Sequence, residues 1–260
     1  MKSSIKYVGG KSKDLKYFKS LIPEFDLYIE PFFGGGSVFF DLKPKHSIIN
    51  DNDFLLMSYW KSVQKNPEVL IDKISKYANL TDKTSYYQIR KLYNENQLRH
   101  IDAFYFYINR IGYHGLIRYN KNLKINTPYG QSVQFDKYYD TIRQNHNCLK
   151  NSIIHCKDYK DFLTDLENLN ILDNESFMFI DPPYINTYNY LLRDDSEIVS
   201  LYEYLSNYIE LTKCKVMILT EDGDIVRSLF HNKIIKSYNK KYTINSGTRK
   251  RNDIVIITNY

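Results

Sequence analysis

The chain has 260 residues and a mass of 31.0 kDa, and 43% of its residues are hydrophobic while 25% are charged. These ordinary values exclude a disordered chain, a fibrous repeat and a peptide-sized module. The net charge is +6, but residues 54–150 hold 15 Lys and Arg against 7 Asp and Glu, a net of +8, whereas all other residues hold 21 against 23, a net of −2. Such a basic segment is expected at a nucleic-acid contact or on a solvated surface.

The first predicted elements are a strand, a glycine turn and a helix. DLYIE at 26–30 predicts a short strand that leads into the turn PFFGGGS, and VFFDL at 38–42 predicts a helix. Three consecutive glycines, Gly34, Gly35 and Gly36, let backbone approach a ligand closely, although a plain tight turn has the same composition. This unit is typical of a cofactor cradle in a βαβ fold.

A second strand is predicted for HSIIND at 46–51, which ends in Asp51 about 20 residues after the glycine turn. At that interval an acid can accept hydrogen bonds from a ribose, and a solvated loop acid is the alternative. The sequence contains neither the GxGxxG spacing nor a GxxxxGK[ST] loop, which disfavours a nicotinamide dinucleotide and a nucleoside triphosphate. The remaining candidate ligand is an adenosine-bearing cofactor without a pyrophosphate group.

Helical spacing follows from residue 54 to about residue 109, with Leu70, Ile71 and Ile74 on one face. Residues 110–136 are rich in Gly, Asn and Pro between short β-like pieces, which predicts a loop or hairpin.

Strand patterns return in the last part of the chain and predict an α/β fold with a doubly wound sheet. The sheet is assigned to residues 1–53 and 151–260, and the mainly helical basic segment 54–150 is an insert. The predicted strands lie at 152–159, 177–184, 215–220 and 253–260, and a helix is predicted near 195–211.

The tetrad DPPY follows the apolar run FMFI directly, so Asp181 and Tyr184 should stand at the carboxyl end of a buried strand. Two prolines stiffen the peptide, which would make Asp181 and the Pro182 carbonyl fixed acceptors and Tyr184 a rigid stacking surface. Such an arrangement could accept hydrogen bonds from an exocyclic amine. A simple strand-ending turn is the alternative.

No stretch approaches the roughly 18 apolar residues of a membrane span, and the N-terminal residues lack the apolar core of a secretory signal. We therefore expect a cytoplasmic protein with no membrane partner. Cys148, Cys156 and Cys214 are widely spaced without a CxxC pair, so we expect buried thiols, no disulfide framework and no metal site.

Several motifs occur in an order that resembles one family. They are KYVGGK (6–11), EPFFGGGSVFFDL (30–42), IND (49–51), GLIRYNKNLKINTPYG (115–130), HCKDY (155–159), DPPY (181–184) and the final IVIITNY. Together they make the chain similar to the Dam family of DNA adenine-N6 methyltransferases, the class alpha or D12 type.

The resemblance implies a Rossmann-like methyltransferase sheet with 54–150 as the inserted DNA-recognition domain. It implies a site-specific, adenine-specific DNA methyltransferase that transfers a methyl group from S-adenosylmethionine to N6 of a flipped adenine in duplex DNA, in GATC or a related short site. The implied partners are double-stranded DNA and a cognate restriction endonuclease, and a monomer or weak dimer is expected.

The resemblance also assigns residues by position, with Asp181, Pro182 and Tyr184 as the catalytic group. The implied cofactor-binding residues are Tyr7, Lys11, Phe32, Gly34, Gly35, Gly36, Asp51, Asp158 and Asp181. The DNA-binding residues are Tyr113, Arg118, Asn120, Pro128 and Gln131, together with a basic loop of Arg249, Lys250 and Arg251 that could clamp phosphates or be solvated.

Two other functions remain open at this level. One is methylation of an amine on RNA or protein, although such relatives usually begin the tetrad with asparagine. The other is a catalytically silent DNA-binding regulator, which the intact Asp181, Tyr184 and glycine turn disfavour.

Overall fold

The structure, a computed structural model, describes residues 1–184, 195–241 and 251–260. Within this part of the chain the strands are β1 (Leu27–Glu30), β2 (His46–Ile49), β3 (Ser152–Ile154), β4 (Ser176–Ile180), β5 (Lys215–Glu221), β6 (Ile234–Lys241) and β7 (Arg251–Thr258). The α-helices are α1 (Leu15–Phe18), α2 (Ser37–Leu42), α3 (Phe54–Lys65), α4 (Pro67–Ser75), α5 (Lys83–Asn94), α6 (Ile101–Ile111), α7 (Tyr139–Leu149), α8 (Tyr159–Asn168), α9 (Asp195–Leu211) and α10 (Asp224–Phe230). Short 3₁₀ turns lie at Lys11–Lys13, Lys19–Leu21, Tyr113–Gly115 and Asp136–Tyr138.

The chain forms two compact units. The first contains Met1–Lys13 and Phe33–Tyr159, and the second contains Asp14–Phe32 and Lys160–Tyr260. The predicted division into a cofactor domain and a recognition domain at 54–150 is a functional one and stays a prediction.

In the first unit, β2 and β3 pair in parallel, and helices α3 to α7 lie between them in the sequence. Asp53 caps the N-terminus of α3, where its carboxylate accepts the backbone N–H groups of Leu55 and Leu56 at 3.0 and 3.1 Å. The Trp60 ring of α3 is fully buried, 5.7 Å from the Phe33 ring and 5.3 Å from the Phe40 ring. The aromatic residues beside the glycine turn therefore form part of this core.

In the second unit, β1, β4 and β5 run parallel, and β7 pairs antiparallel with both β5 and β6. All five residues of β4, SFMFI, are buried, which is typical of a strand covered on both faces. Because β4 pairs with β1 on one side and β5 on the other, the tetrad that follows β4 begins at the carboxyl end of an interior strand.

The predicted α/β, Rossmann-like doubly wound class is confirmed, and the predicted helix near 195–211 is α9. Two predicted strands are shorter than expected. The strand predicted at 152–159 ends at Ile154, before the half-buried His155 and Cys156, and the strand at 177–184 ends at Ile180 because Pro182 and Pro183 cannot donate to a sheet.

Other features were missed or differ. Strand β6 and helices α8 and α10 were not predicted. Only Cys214 is buried, whereas Cys148 and Cys156 are half-buried, so the expectation of three buried thiols is wrong for two of them. None of the described helices is long and apolar enough to cross a membrane.

Candidate functional site

The glycine turn before α2 is held from two sides by buried side chains of the first unit. The Gly34 N–H donates to Asp51 Oδ2 at 2.8 Å, and Trp60 Nε1 donates to the Gly34 carbonyl at 3.0 Å. Both polar groups of Gly34 are therefore committed to fixed partners, which sets the orientation of the turn.

Each glycine of the triplet is required by the space around it. A Cβ on Gly34 would lie 2.5 Å from Tyr7 Cε1, one on Gly35 would lie 2.5 Å from Tyr7 Cβ, and one on Gly36 would lie 2.6 Å from Phe33 Cζ. Gly34 and Gly36 also have positive φ values of 50° and 65°. The close approach that the sequence predicted for a ligand is thus made, on this side of the turn, by Tyr7 of the chain itself.

The N-terminal segment that carries Tyr7 is tied to α2 through Lys11. The Lys11 backbone N–H donates to Ser37 Oγ at 2.8 Å, and its Nζ donates to the Gly9 carbonyl at 2.9 Å. Lys11 is only 2% exposed while Tyr7 is 45% exposed, so the lysine is enclosed and the tyrosine ring presents a surface. Ser37 was not singled out from the sequence, although it ends the quoted glycine motif.

Asp51 is a buried carboxylate whose charge is stabilised by backbone donors. Its Oδ1 accepts the Asp53 N–H at 3.0 Å while Oδ2 accepts from Gly34. Burial raises the pKa of Asp51 to about 6, and the backbone N–H groups of Asp53 and Gly34 oppose that rise. The carboxyl therefore changes charge just below neutral pH.

The segment after β3 is fixed beside the end of β2 by Asn50. Asn50 Nδ2 donates to the Lys157 carbonyl at 3.0 Å, and Asn50 Oδ1 accepts the Lys157 N–H at 2.9 Å. Asp158, the next residue, is exposed, and Cys156 is half-buried with its thiol pKa raised by burial. Both positions belong to the same unit as Asp51 and the glycine turn.

Residues 118–126 form the predicted hairpin. The Asn126 N–H donates to the Arg118 carbonyl at 2.8 Å. The Asn120 N–H donates to the Lys124 carbonyl at 2.9 Å, which closes the turn. Asn120 Oδ1 accepts the backbone N–H groups of Asn122 and Lys124 at 2.9 and 3.0 Å, so this oxygen shapes the hairpin tip. The Arg118 side chain is exposed, as a DNA-contacting residue must be.

Helix α5 carries the returning arm of the hairpin. Asn94 donates to the Ile125 carbonyl and accepts the Ile125 N–H, both at 2.9 Å, and Arg90 Nη1 donates to the Thr127 carbonyl at 2.6 Å. Thr127 Oγ1 accepts the Arg118 N–H at 2.9 Å and donates to the Leu116 carbonyl at 2.9 Å, which braces the hairpin base.

The remaining DNA-binding predictions of this unit lie at that base. The Tyr113 N–H donates to the Pro128 carbonyl at 2.9 Å, and the Gln131 N–H donates to the Ile111 carbonyl at 3.2 Å. The side chains of Tyr113 and Gln131 are exposed and Pro128 is half-buried. Arg249 and Lys250 lie outside the described residues, and Arg251 begins β7.

In the second unit, the tetrad follows β4 and is held by α9. Asp181 is half-buried, Pro182 is buried and Tyr184 is 8% exposed. Tyr202 of α9 donates to the Pro183 carbonyl at 3.2 Å and is hydrogen-bonded to Thr220 of β5. Burial raises the pKa of Tyr202 and the charge on Asp181 adds to that rise, so the phenol remains a donor at neutral pH.

The structure thus groups the predicted residues by unit. Tyr7, Lys11, the glycine triplet, Asp51, Asp158 and the hairpin belong to the first unit, whereas Phe32, which is half-buried, and the tetrad belong to the second. The residues that fix these groups were missed by sequence reasoning. They are Ser37, Trp60, Asn94, Asn109, Thr127 and Tyr202.

Comparisons with known proteins identify the family of this chain. A model of the family described as D12 class N6 adenine-specific DNA methyltransferase matches residues 7–244. Type II methyltransferase M.CviBI of Paramecium bursaria Chlorella virus NC1A is 30% identical over 250 residues, 93% of this chain and 91% of the relative. Type II methyltransferase M.MjaIII of Methanocaldococcus jannaschii is 32% identical over 71% of this chain and 69% of its own. The DNA adenine methylase of Escherichia coli K12 is 26% identical over 96% of this chain and 92% of its own.

Proposed function

The chain belongs to the D12 class of N6 adenine-specific DNA methyltransferases and methylates adenine in DNA, and we propose that it takes the methyl group from S-adenosylmethionine and acts on a flipped adenine in a short duplex site. The observation that carries this proposal is the DPPY tetrad at the end of the buried strand β4, with its Pro183 carbonyl fixed by Tyr202. The family membership decides against the alternative of amine methylation on RNA or protein.

The first unit offers residues that fit an adenosine-bearing sulfonium cofactor. The Asp51 carboxylate would accept hydrogen bonds from ribose hydroxyls, and Asp158 would contact the adenine. Tyr7 and Lys11 would also contact the cofactor, and the backbone of the glycine triplet would hold its amino-acid end. The fit is supported by Asp51, a buried carboxylate fixed beside the glycine turn by the Gly34 N–H, because carboxylate oxygens can accept further hydrogen bonds. S-adenosylmethionine supplies an electrophilic methyl group on its sulfonium.

The tetrad would compensate for the weak nucleophilicity of the adenine amine. The lone pair of N6 is delocalised into the ring, and the reacting atom is inaccessible in a duplex, so the base must be flipped out. Tyr184 would stack on the flipped base while Asp181 and the Pro182 carbonyl accept the two N6 hydrogens. Those acceptors would favour a pyramidal nitrogen with its lone pair directed toward a methyl donor. The cofactor would supply a methyl group that replaces one N6 hydrogen, and the Asp181 carboxylate would accept that hydrogen as a proton.

The basic segment and the hairpin would read the DNA. The net charge of +8 on residues 54–150 suits phosphate binding, and Arg118 is exposed on the hairpin, where bidentate contact with guanine is the commonest specific use of arginine. We assign base and backbone contacts to Tyr113, Asn120, Pro128 and Gln131, and phosphate contacts to Arg249, Lys250 and Arg251. The proposed target is GATC or a related short site in the nucleoid of the cytoplasm.

We further propose that the enzyme acts as a monomer or weak dimer beside a cognate restriction endonuclease. Two of the relatives are named Type II methyltransferases, which supports such a pairing.

Expression in a host that lacks adenine methylation tests this function directly. We expect single-molecule sequencing of the host DNA to show N6-methyladenine in one short motif, and none in cells that express the Asp181→Ala variant. A modified motif other than GATC would correct the target alone. Unmodified DNA despite soluble, folded protein would contradict the function and favour a silent DNA-binding regulator.

Cofactor affinity should depend on the charge of Asp51. Because burial raises the pKa of this carboxyl to about 6, lowering the pH from 7.5 to 5 neutralises it, and a neutral carboxyl cannot accept at both oxygens. We expect the dissociation constant of S-adenosylmethionine to rise roughly tenfold over this range, as one pH unit below the pKa implies. Calorimetric titration at several pH values measures it.

The Asp51→Asn variant should lose this component of the pH dependence, whereas Asp72→Asn, a change at an exposed carboxylate paired with Lys76, should retain it. An identical pH profile for the wild type and Asp51→Asn would show that another group controls the titration.

A further inference from the structure

Asn109 of α6 connects two segments that the proposed function uses separately. Asn109 is 1% exposed, and the oxygen and both N–H donors of its side-chain amide form hydrogen bonds. Oδ1 accepts the Lys6 N–H at 2.9 Å, while Nδ2 donates to the Lys6 carbonyl at 2.7 Å and to the Gly115 carbonyl at 3.0 Å. Asn109 touches neither proposed ligand, so the mechanism gives it no role.

Lys6 is the residue before Tyr7, so the first of these segments leads straight into the N-terminal part of the cofactor site. Tyr7 covers Gly34 and Gly35, and the same segment continues to Lys11. A shift of the Lys6 backbone would therefore move the Tyr7 ring over the glycine turn.

The other segment is the entry to the DNA-reading hairpin. Gly115 has a positive φ of 72°, and a Cβ at this position would lie 2.6 Å from Lys6 Cβ and 3.2 Å from the Asn109 carbonyl oxygen. Three residues further on, Arg118 begins the hairpin. The backbone of the hairpin entry therefore packs directly on Lys6, and Asn109 bonds to both.

We propose that Asn109 is a positioning residue that couples cofactor binding to DNA binding. The inference rests on the proposed function, since it assigns Tyr7 to the cofactor and Arg118 to DNA. Each ligand orders the segment that it contacts, and Asn109 transmits that order to the other segment because one rigid carboxamide bonds to both. A ligand that arrives second then meets a segment already ordered, which gives positive cooperativity.

The chain contains matched controls on each side of this contact. Asn145 Oδ1 accepts the Ser4 N–H at 2.8 Å and so holds the N-terminal segment without contacting the hairpin. Asn94 holds the hairpin at Ile125 without contacting the N-terminal segment. Alanine at either position should weaken one segment alone, whereas alanine at Asn109 should uncouple the two.

The test compares the affinity of the non-reactive product S-adenosylhomocysteine with and without a duplex that carries the methylated motif. For the wild type, Asn94→Ala and Asn145→Ala, we expect the duplex to tighten binding by a similar factor of roughly ten, within the usual range of allosteric coupling. For Asn109→Ala the factor should fall to between one and two. The same factor in Asn109→Ala as in the wild type, or no cooperativity in the wild type, would overturn the inference while the function stands.

A second measurement uses only the wild type and does not depend on a variant that folds. Addition of S-adenosylhomocysteine without DNA should slow hydrogen exchange at the backbone N–H groups of Arg118 and Asn126, which hold the hairpin base. Unchanged exchange there, with protection confined to the glycine turn, would overturn the coupling. Failure of the wild type to bind either ligand would instead overturn the proposed function and this inference with it.

Discussion

Replacement of Asp181 by alanine is expected to lower the rate of methyl transfer roughly 10³-fold, which is the size of effect found when a fixed group that stabilises a transition state is removed. The variant loses the acceptor that draws one N6 hydrogen out of the ring plane, so the lone pair stays delocalised. The Pro183 carbonyl would still be held by Tyr202, because that bond does not involve the Asp181 side chain. The loss should therefore appear in the chemical step.

Single-turnover transfer of labelled methyl groups to duplex DNA measures this effect, with cofactor and DNA affinities determined separately. Asp181→Asn keeps one carbonyl acceptor but loses the charge, so its rate should lie between those of the wild type and the alanine variant. Asp224→Asn changes an exposed carboxylate at the start of α10 in the same unit and should behave as the wild type. Transfer by Asp181→Ala within threefold of the wild-type rate would refute the assigned role.

Alanine at Gly35 is expected to raise the dissociation constant of S-adenosylmethionine roughly 10²-fold, since this factor corresponds to about 2.7 kcal/mol, within the roughly 1–3 kcal/mol that overpacking costs. The new Cβ would lie 2.5 Å from Tyr7 Cβ, 3.2 Å from Tyr7 Cγ and 3.9 Å from Tyr7 Cα. These atoms lie close to the backbone, so rotation of the tyrosine side chain cannot relieve the clash. Either the Tyr7 segment or the glycine turn must move.

The effect at Gly35 should be steric, because this glycine has no positive φ whereas Gly34 and Gly36 do. Overpacking of this kind also costs about 1–3 kcal/mol of stability, so thermal melting must accompany the calorimetric titration. Gly223→Ala is the matched control, since a Cβ there has no atom within 4 Å and the backbone is extended. Wild-type affinity in a folded Gly35→Ala variant would show that the contact between Tyr7 and Gly35 does not shape the cofactor site.

The elements of the sheet were predictable where hydrophobic patterns are continuous. A few consecutive apolar residues are enough to predict the buried strands β4 and β5, and helical spacing predicts α9. Strand β6 was missed because its sequence, IIKSYNKK, mixes lysines with short apolar pieces. β6 pairs only with β7 within this unit's strands, and lysines are common on such edges.

The candidate site was predictable in part for the same reason. The glycine triplet, Asp51 and DPPY lie in short motifs whose chemistry follows from their composition. Trp60 was not predictable, because it lies 26 residues from Gly34, and Tyr202 lies 19 residues from Pro183. Asn109 lies 103 residues from Lys6, and nothing in α6 distinguishes it from an ordinary core residue.

Local patterns identify the fold class and the residue types available for chemistry, because alternation, glycine spacing and paired prolines are properties of neighbouring residues, and the order of the motifs indicates the family. Only the folded structure shows which buried polar groups meet. It showed that Tyr7 covers the glycine turn, that Asp51 and Trp60 hold Gly34, and that Asn109 joins Lys6 to Gly115. A hydrogen bond depends on the positions of two groups in space, so a buried polar side chain meets its partner only after the helices and strands have packed.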